Sequence, residues 1–176
     1  MDRRRFLGLA ALAAGGLAAR PALAKVHPQG ERKLAFYHLH TGEKLSTVYW
    51  ADGKYLPGSL AEINHLLRDF RTGTSRPIDP KLLDLLHKVQ RRIDCRKAFH
   101  IISAYRSPAS NGMLRTRSSG VAKRSLHMEG KAIDIRLPGC RLGELRRAAL
   151  SLQSGGVGYY PESNFVHVDT GSVRSW

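Results

Sequence analysis

Ser125-Leu-His127-Met-Glu-Gly130-Lys-Ala132-Ile-Asp134 is the stretch whose reading decides the fold. From Ala132 the chain alternates as a strand does, Ala-Ile-Asp-Ile-Arg-Leu137, and stops at Pro138-Gly139. Alternation sends Ile133 and Ile135 into the core and Asp134 to the opposite face. Near the C-terminus Asn164-Phe-Val-His167-Val-Asp169 repeats the device, with His167 and Asp169 on one strand face. Two histidines and a carboxylate are the ligand set of a catalytic zinc whose fourth position stays open for water. The expectation is therefore one Zn2+ per chain, held by His127, Asp134 and His167. Singly, His127 could cap a turn, Asp134 could pair with an arginine, and His167 could be a satisfied strand residue. Together, in this spacing, they favour a metal.

Working outward, the remaining elements read as follows. Leu34–His40 and Lys44–Trp50, joined by Thr41-Gly-Glu43, form a hairpin, with His38 and His40 sharing a solvated face. Ala51–Gly58 is a loop. Ser59-Leu-Ala-Glu62 is a capping box that opens a helix to about Phe70. Asp79 caps and Pro80 starts a second helix reaching about Ile93. Phe99–Ala104 is a buried strand. Ser107 to about Arg124 reads as a long basic loop, either a substrate-facing flap or a floppy segment. Leu142–Leu152 is a helix ended by Gly155-Gly156, and Val157–Tyr160 pairs with the His167 strand as a last hairpin. The sum is α+β: helices packed on one side of a mostly antiparallel sheet whose open face carries the site.

Arg3-Arg4-Arg5-Phe6-Leu7, an apolar run to Ala19 and Ala22-Leu-Ala24 have the order of a twin-arginine export signal with its cleavage site. The run is shorter than the ~20 residues a spanning helix needs. Residues 1–24 are thus read as a signal peptide and 25–176 as one domain, with the periplasm or cell envelope as destination. The remaining chain carries 25 basic and 13 acidic residues, a charge of +12. That balance suits polyanions. Export argues against nucleic acid, confines membrane contact to the export step and favours the polymers of an envelope. Cys95 and Cys140 are either a cross-link, worth about 2–4 kcal/mol in typical cases, or two buried thiols. The sequence specifies no oligomeric state.

Ser125-x-His127-x-x-Gly130-x-Ala132-x-Asp134 with a downstream His-bearing strand resembles the M15-type zinc D-Ala-D-Ala peptidases and their relatives, whose domain is of the M15/hedgehog type. Tyr105-Arg-Ser-Pro108, Gly155-Gly-Val-Gly-Tyr-Tyr-Pro161 and Phe165-Val-His-Val-Asp-Thr-Gly171 bring the resemblance closest to the YcbK-like (MepK) murein endopeptidases, over about Leu34 to Trp176. The resemblance implies a zinc peptidase acting on peptidoglycan peptides. It also keeps His40, in a His-Thr-Gly-Glu shared with that group, as a weaker site residue. Arg106, in the Tyr-Arg-Ser position, is the candidate for stabilising an oxyanion or gripping a substrate carboxylate. Ser125 fixes the ligand loop. Many M15-type enzymes carry an acid three residues before the last histidine, where this chain has Asn164, and an amide cannot be a general base. Asp169 is then the first candidate for the proton transfer, its alternative role being to orient a ligand ring. Glu162 is a weaker candidate.

Three functions remain in view. The first is an exported murein endopeptidase, with a D,D-carboxypeptidase using the same residues as its near alternative. The second is a non-catalytic peptidoglycan-binding module, which Asn164 favours. The third is a basic polyanion binder, which needs no metal and weakens with salt.

Overall fold

The structure is a computed structural model and describes residues 30–118 and 120–176. The expected signal peptide lies outside them. Strand β1, Arg32–His38, turns through Thr41-Gly42 into β2, Lys44–Ala51, and Asp52-Gly53 turns again into a two-residue β3, Lys54–Tyr55. Asp52 and Gly53 both have positive φ, as a two-residue hairpin turn requires. The expected loop at Ala51–Gly58 therefore holds a short strand.

Helix α1 spans Pro57–Leu66 rather than Ser59–Phe70. Pro57 occupies its first turn, and Leu56 precedes it without a side-chain cap. The Ser59 hydroxyl instead accepts from Thr47 at 3.1 Å, so the capping-box pattern falls inside the helix. Helix α2, Pro80–Ile93, is as expected: Asp79 accepts from the Lys81 amide, and Leu82, Leu83, Leu86 and Val89 are buried.

Strand β4 is Phe99–Ser103. The long loop expected after it contains helix α3, Pro108–Arg117, whose cap Ser107 accepts from the Ser110 amide. Ser107-Pro108 is a cap followed by a first-turn proline. The poor helix formers Ser110, Asn111 and Gly112 obscured it. A single 3-10 turn, Leu126–Glu129, leads into β5, Ala132–Arg136. Helix α4 is Leu142–Ser151, followed by β6, Gly156–Tyr160, β7, Phe165–Asp169, and a short β8, Arg174–Ser175, that the sequence reading did not contain.

The eight strands of the described residues form one sheet in the order β3-β2-β1-β4-β5-β7-β6-β8. Pairing is antiparallel except for β1 with β4 and β6 with β8. Helix α1 lies against β2, α2 against β1 and α4, and α4 against β6 and β7. One core joins them, with Leu34 and Phe36 of β1, Ile133 and Ile135 of β5 and Val166 and Val168 of β7 facing the helical leucines. The α+β architecture with helices against a mostly antiparallel sheet is thus the observed one. Among the described residues no helix is long and apolar enough to cross a membrane.

His38 departs from the expected solvated face. It is 1% exposed because it keeps the inward parity of Leu34 and Phe36, and Phe70 covers it edge-on. Cys95 and Cys140 are both free thiols, half-buried against the core.

Candidate metal centre

Strands β5 and β7 are neighbours, and their register sets Asp134 directly opposite His167. Because Ile133, Ile135, Val166 and Val168 occupy the inward positions, Asp134, His167 and Asp169 all stand on the other face. His127 reaches the same place from the 3-10 turn, which Ser125 opens by accepting from the His127 amide. Gly130 closes that turn with a φ of +69°, and a Cβ there would strike the Pro77 carbonyl. The Gly130 carbonyl in turn accepts from the Asp79 amide at 2.9 Å. The turn carrying His127 is therefore clamped to the segment leading into α2.

Three atoms converge. His167 Nδ1 lies 2.8 Å from Asp134 Oδ1 and 3.2 Å from His127 Nε2, and His127 Nε2 lies 3.3 Å from Asp134 Oδ1. The outer ring nitrogens are fixed by acceptors. His127 Nδ1 donates to the Ala104 carbonyl at 2.7 Å, and His167 Nε2 donates to Asp169 Oδ2 at 3.0 Å. In the neutral rings these bonds leave the inner nitrogens as bare lone pairs facing each other and a carboxylate oxygen. A cation shared among them, a metal ion or a proton on His167, makes that arrangement favourable. Burial pushes the His167 imidazole down, but the carboxylates of Asp134 and Asp169 outweigh it and hold its pKa at about 8. Burial likewise opposes charge on Asp134, yet His127 and His167 hold its carboxyl well below the usual carboxylate range. The trio is buried, and its donor atoms are close enough together to hold a metal ion. Two neutral imidazoles and a carboxylate fit a three-ligand site.

The other expected residues fall in different places. Asp169 is fully buried behind His167. Its Oδ1 accepts from the Gly156 and Gly171 amides and from Arg174, and its Oδ2 from His167 and from Arg174 at 2.6 Å. Burial alone would raise it, but these bonds keep it strongly acidic. A carboxylate so fully engaged is placed to orient the His167 ring, the alternative role expected of it, and every bond it makes competes with accepting a proton from water.

Arg106 is mostly buried with one guanidinium nitrogen 3.9 Å from Asp134 Oδ2, and its Nε has no hydrogen-bond partner among the described residues. Burial pulls its pKa down, against the nearby Asp134. Glu162 is exposed in the turn between β6 and β7, beside Asn164 at φ +52°. His40 is exposed and stacks on Phe70 at 4.1 Å. Neither Glu162 nor His40 is brought to the trio.

A cleft of about 370 Å³ opens over the centre, lined by Arg106, Arg124, Ser125, His127, Asp134 and His167, with Leu126, Tyr160, Phe165 and Trp176 as its apolar wall. Ser118, Gly120, Val121 and Ala122 also line it, so the segment after α3 does overhang the site. Asn111 pins that segment by donating to the Ala122 carbonyl at 3.2 Å. A larger hollow of about 1020 Å³ lies elsewhere, between β1 and the end of α2, and contains none of the trio.

The sequence reading missed Arg174, Trp176 and the purpose of the glycines. On β6, Gly158 stands opposite His167 in the register, and the Gly156 amide donates to Asp169 Oδ1 at 3.0 Å. A Cβ at Gly156 would strike the Asp169 carboxylate and Arg174, and one at Gly158 would come within 2.8 Å of the Trp176 indole. Alternating glycines beside a His-x-Asp strand were the available signal.

No solved structure matches the chain. Among characterised proteins it is 43% identical to the peptidoglycan L,D-endopeptidase MepK of Escherichia coli strain K12, over 99% of this chain and 97% of that one. The MepK of Shigella flexneri is equally similar. It is 41% identical to the probable peptidoglycan L,D-endopeptidase MepK of Haemophilus influenzae, over 99% of this chain and 95% of the relative. A family profile matches residues 26–176, which include the trio, its fixing partners and both cleft walls. The chain belongs to the family described as peptidoglycan L,D-endopeptidase MepK.

Proposed function

We propose that the chain is an exported murein endopeptidase that hydrolyses peptide crosslinks of peptidoglycan with one zinc ion held by His127, Asp134 and His167. The observation that carries this reading is the convergence of three donor atoms whose outer nitrogens are already fixed on acceptors. When bound, zinc with an open position supplies acidified water, with a pKa of about 7 in the best-known case, and polarises a carbonyl. The names of the relatives support an endopeptidase over a carboxypeptidase.

The chain's own groups divide the remaining work. Ala104 and Asp169 hold the imidazoles in the tautomers that present His127 Nε2 and His167 Nδ1. Arg106 places a permanent positive charge beside Asp134 in the cleft, where charge developing on an attacked carbonyl oxygen is stabilised. Asn111 and Ser103 accept from its terminal nitrogens, both at 3.4 Å, and keep the guanidinium oriented. Residues 1–24 are read as the export signal on their twin-arginine pattern and small-x-small end.

A non-catalytic peptidoglycan-binding module is the second reading. Asp134 is the only carboxylate lining the cleft among the described residues, and that favours it. Isolated peptidoglycan separates the two. The endopeptidase reading expects crosslinked muropeptides to fall to monomers with wild type and not with His127→Ala. Release of free D-alanine alone would point to a carboxypeptidase. A wild type that holds zinc, binds peptidoglycan and cuts nothing would establish the module.

A further inference from the structure

Trp176 is an exposed aromatic residue that the rest of the structure holds still. Its indole is 48% exposed in the cleft, with its ring centroid 5.3 Å from that of His167. Gly158 lies beneath it, directly opposite His167 in the pairing of β6 with β7, and the bare strand leaves the indole its seat. The Nε1–H donates to the Tyr160 hydroxyl at 2.7 Å. The backbone is stitched to β6, the Trp176 amide donating to the Val157 carbonyl and the Tyr159 amide to the Trp176 carbonyl at 3.0 Å. The Arg174 guanidinium sits 5.0 Å from the ring centre and is itself bound to Asp169.

The exposed half of a large apolar ring gains nothing for the fold, and a fixed ring has little entropy left to lose on binding. The same cleft carries the cations Arg106 and Arg124 alongside apolar Leu126 and Phe165. A ligand matching that lining has a hydrocarbon stem next to carboxylates. We propose that Trp176 is a substrate-contacting platform, its indole receiving the methylene stem of the diamino residue through which peptidoglycan peptides are crosslinked. This rests on the endopeptidase reading above. Tyr160 and Gly158 are then positioning residues, one fixing the indole nitrogen and the other leaving room for the ring.

The alternative is that Trp176 only braces His167, and two measurements on the full chain separate the roles. In the first, Trp50→Phe leaves Trp176 as the sole tryptophan, and the metal-stripped protein is titrated with a purified crosslinked muropeptide dimer. The platform predicts a saturable change in indole emission. In the second, zinc content, kcat and KM on the same dimer are compared for wild type, Trp176→Ala and Trp176→Phe. The platform predicts unchanged zinc and a KM raised at least about tenfold in Trp176→Ala with kcat little altered, partly recovered by Trp176→Phe. Unchanged KM in both variants overturns it. So does zinc loss in Trp176→Ala together with an emission blind to the dimer. A wild type that neither binds nor cleaves the dimer overturns the endopeptidase reading as well, whereas a wild type that cleaves while the variants match it overturns the platform alone.

Discussion

The His167–Asp169 bond governs which lone pair the centre offers. Without an acceptor at Nε2, the ring can carry its proton on Nδ1 and turn away the atom that faces His127 and Asp134. Asp169 is also held on four other sides, by Gly156, Gly171 and both terminal nitrogens of Arg174. Its replacement by asparagine, which can present an amide N–H to His167, should weaken zinc binding by roughly 10–100-fold, as outer partners of ligating histidines do elsewhere. Chelator competition measures that affinity, and activity should return at saturating zinc. Activity that stays lost with full zinc occupancy would assign Asp169 the proton-transfer role instead. Much of this was legible beforehand: strand parity alone put Asp134, His167 and Asp169 on one face. What parity cannot give is the crowding behind that face. The contacts of Arg174 and Gly156 with Asp169 come from strands β8 and β6, and one of those is too short to leave a pattern.

At the scale of elements, the support of the site runs through a turn with no sequence signature. After α1 the chain bends so that Asp69, 1% exposed, accepts from the Arg71 amide at 3.0 Å and from the Ser107 amide at 2.8 Å, tying α1 to the start of α3. Burial alone would raise this carboxyl, but the hydrogen bonds from Ser107 and Arg71 overturn that and hold it at about 2 against an ordinary 3.8. A depressed carboxylate contributes stability that is complete above its unfolded pKa and lost as pH falls through the folded one. Asp69→Asn should therefore cost up to roughly 2 kcal/mol in urea unfolding near pH 6, with the difference shrinking below pH 4 and nearly gone at pH 2. A deficit independent of pH would contradict this. The same region explains the largest misreading of the chain. Helix α3 opens on a good cap and proline but continues through Ser110-Asn111-Gly112, which local preference assigns to a turn. Tertiary bonds decide otherwise: Asn111, 3% exposed, spends its amide on the Ala122 carbonyl and accepts from Arg106.

For the whole molecule, helices α1, α2 and α4 bury one face of the sheet and leave the other free to carry side chains, so fold and site are two consequences of one alternation. The inward residues of β5 and β7 complete the core, and their outward neighbours meet in the buried trio. The class of fold was legible because that alternation is strong. The parallel pairing of β1 with β4 and of β6 with β8 depends on long-range register that no local pattern reports. Such a scaffold also predicts that the metal is needed for chemistry more than for folding, since the core stands apart from the trio. Zinc removal should leave the fold intact and abolish hydrolysis. The most direct measurement is therefore zinc bound per chain, taken together with cleavage of crosslinked muropeptides, before chelation, after it and after zinc is restored. The account predicts about one zinc per chain, activity lost with the metal and regained on its return, and neither in His127→Ala. Cleavage that persists after complete metal removal, or a wild type that takes up no metal at all, would contradict it.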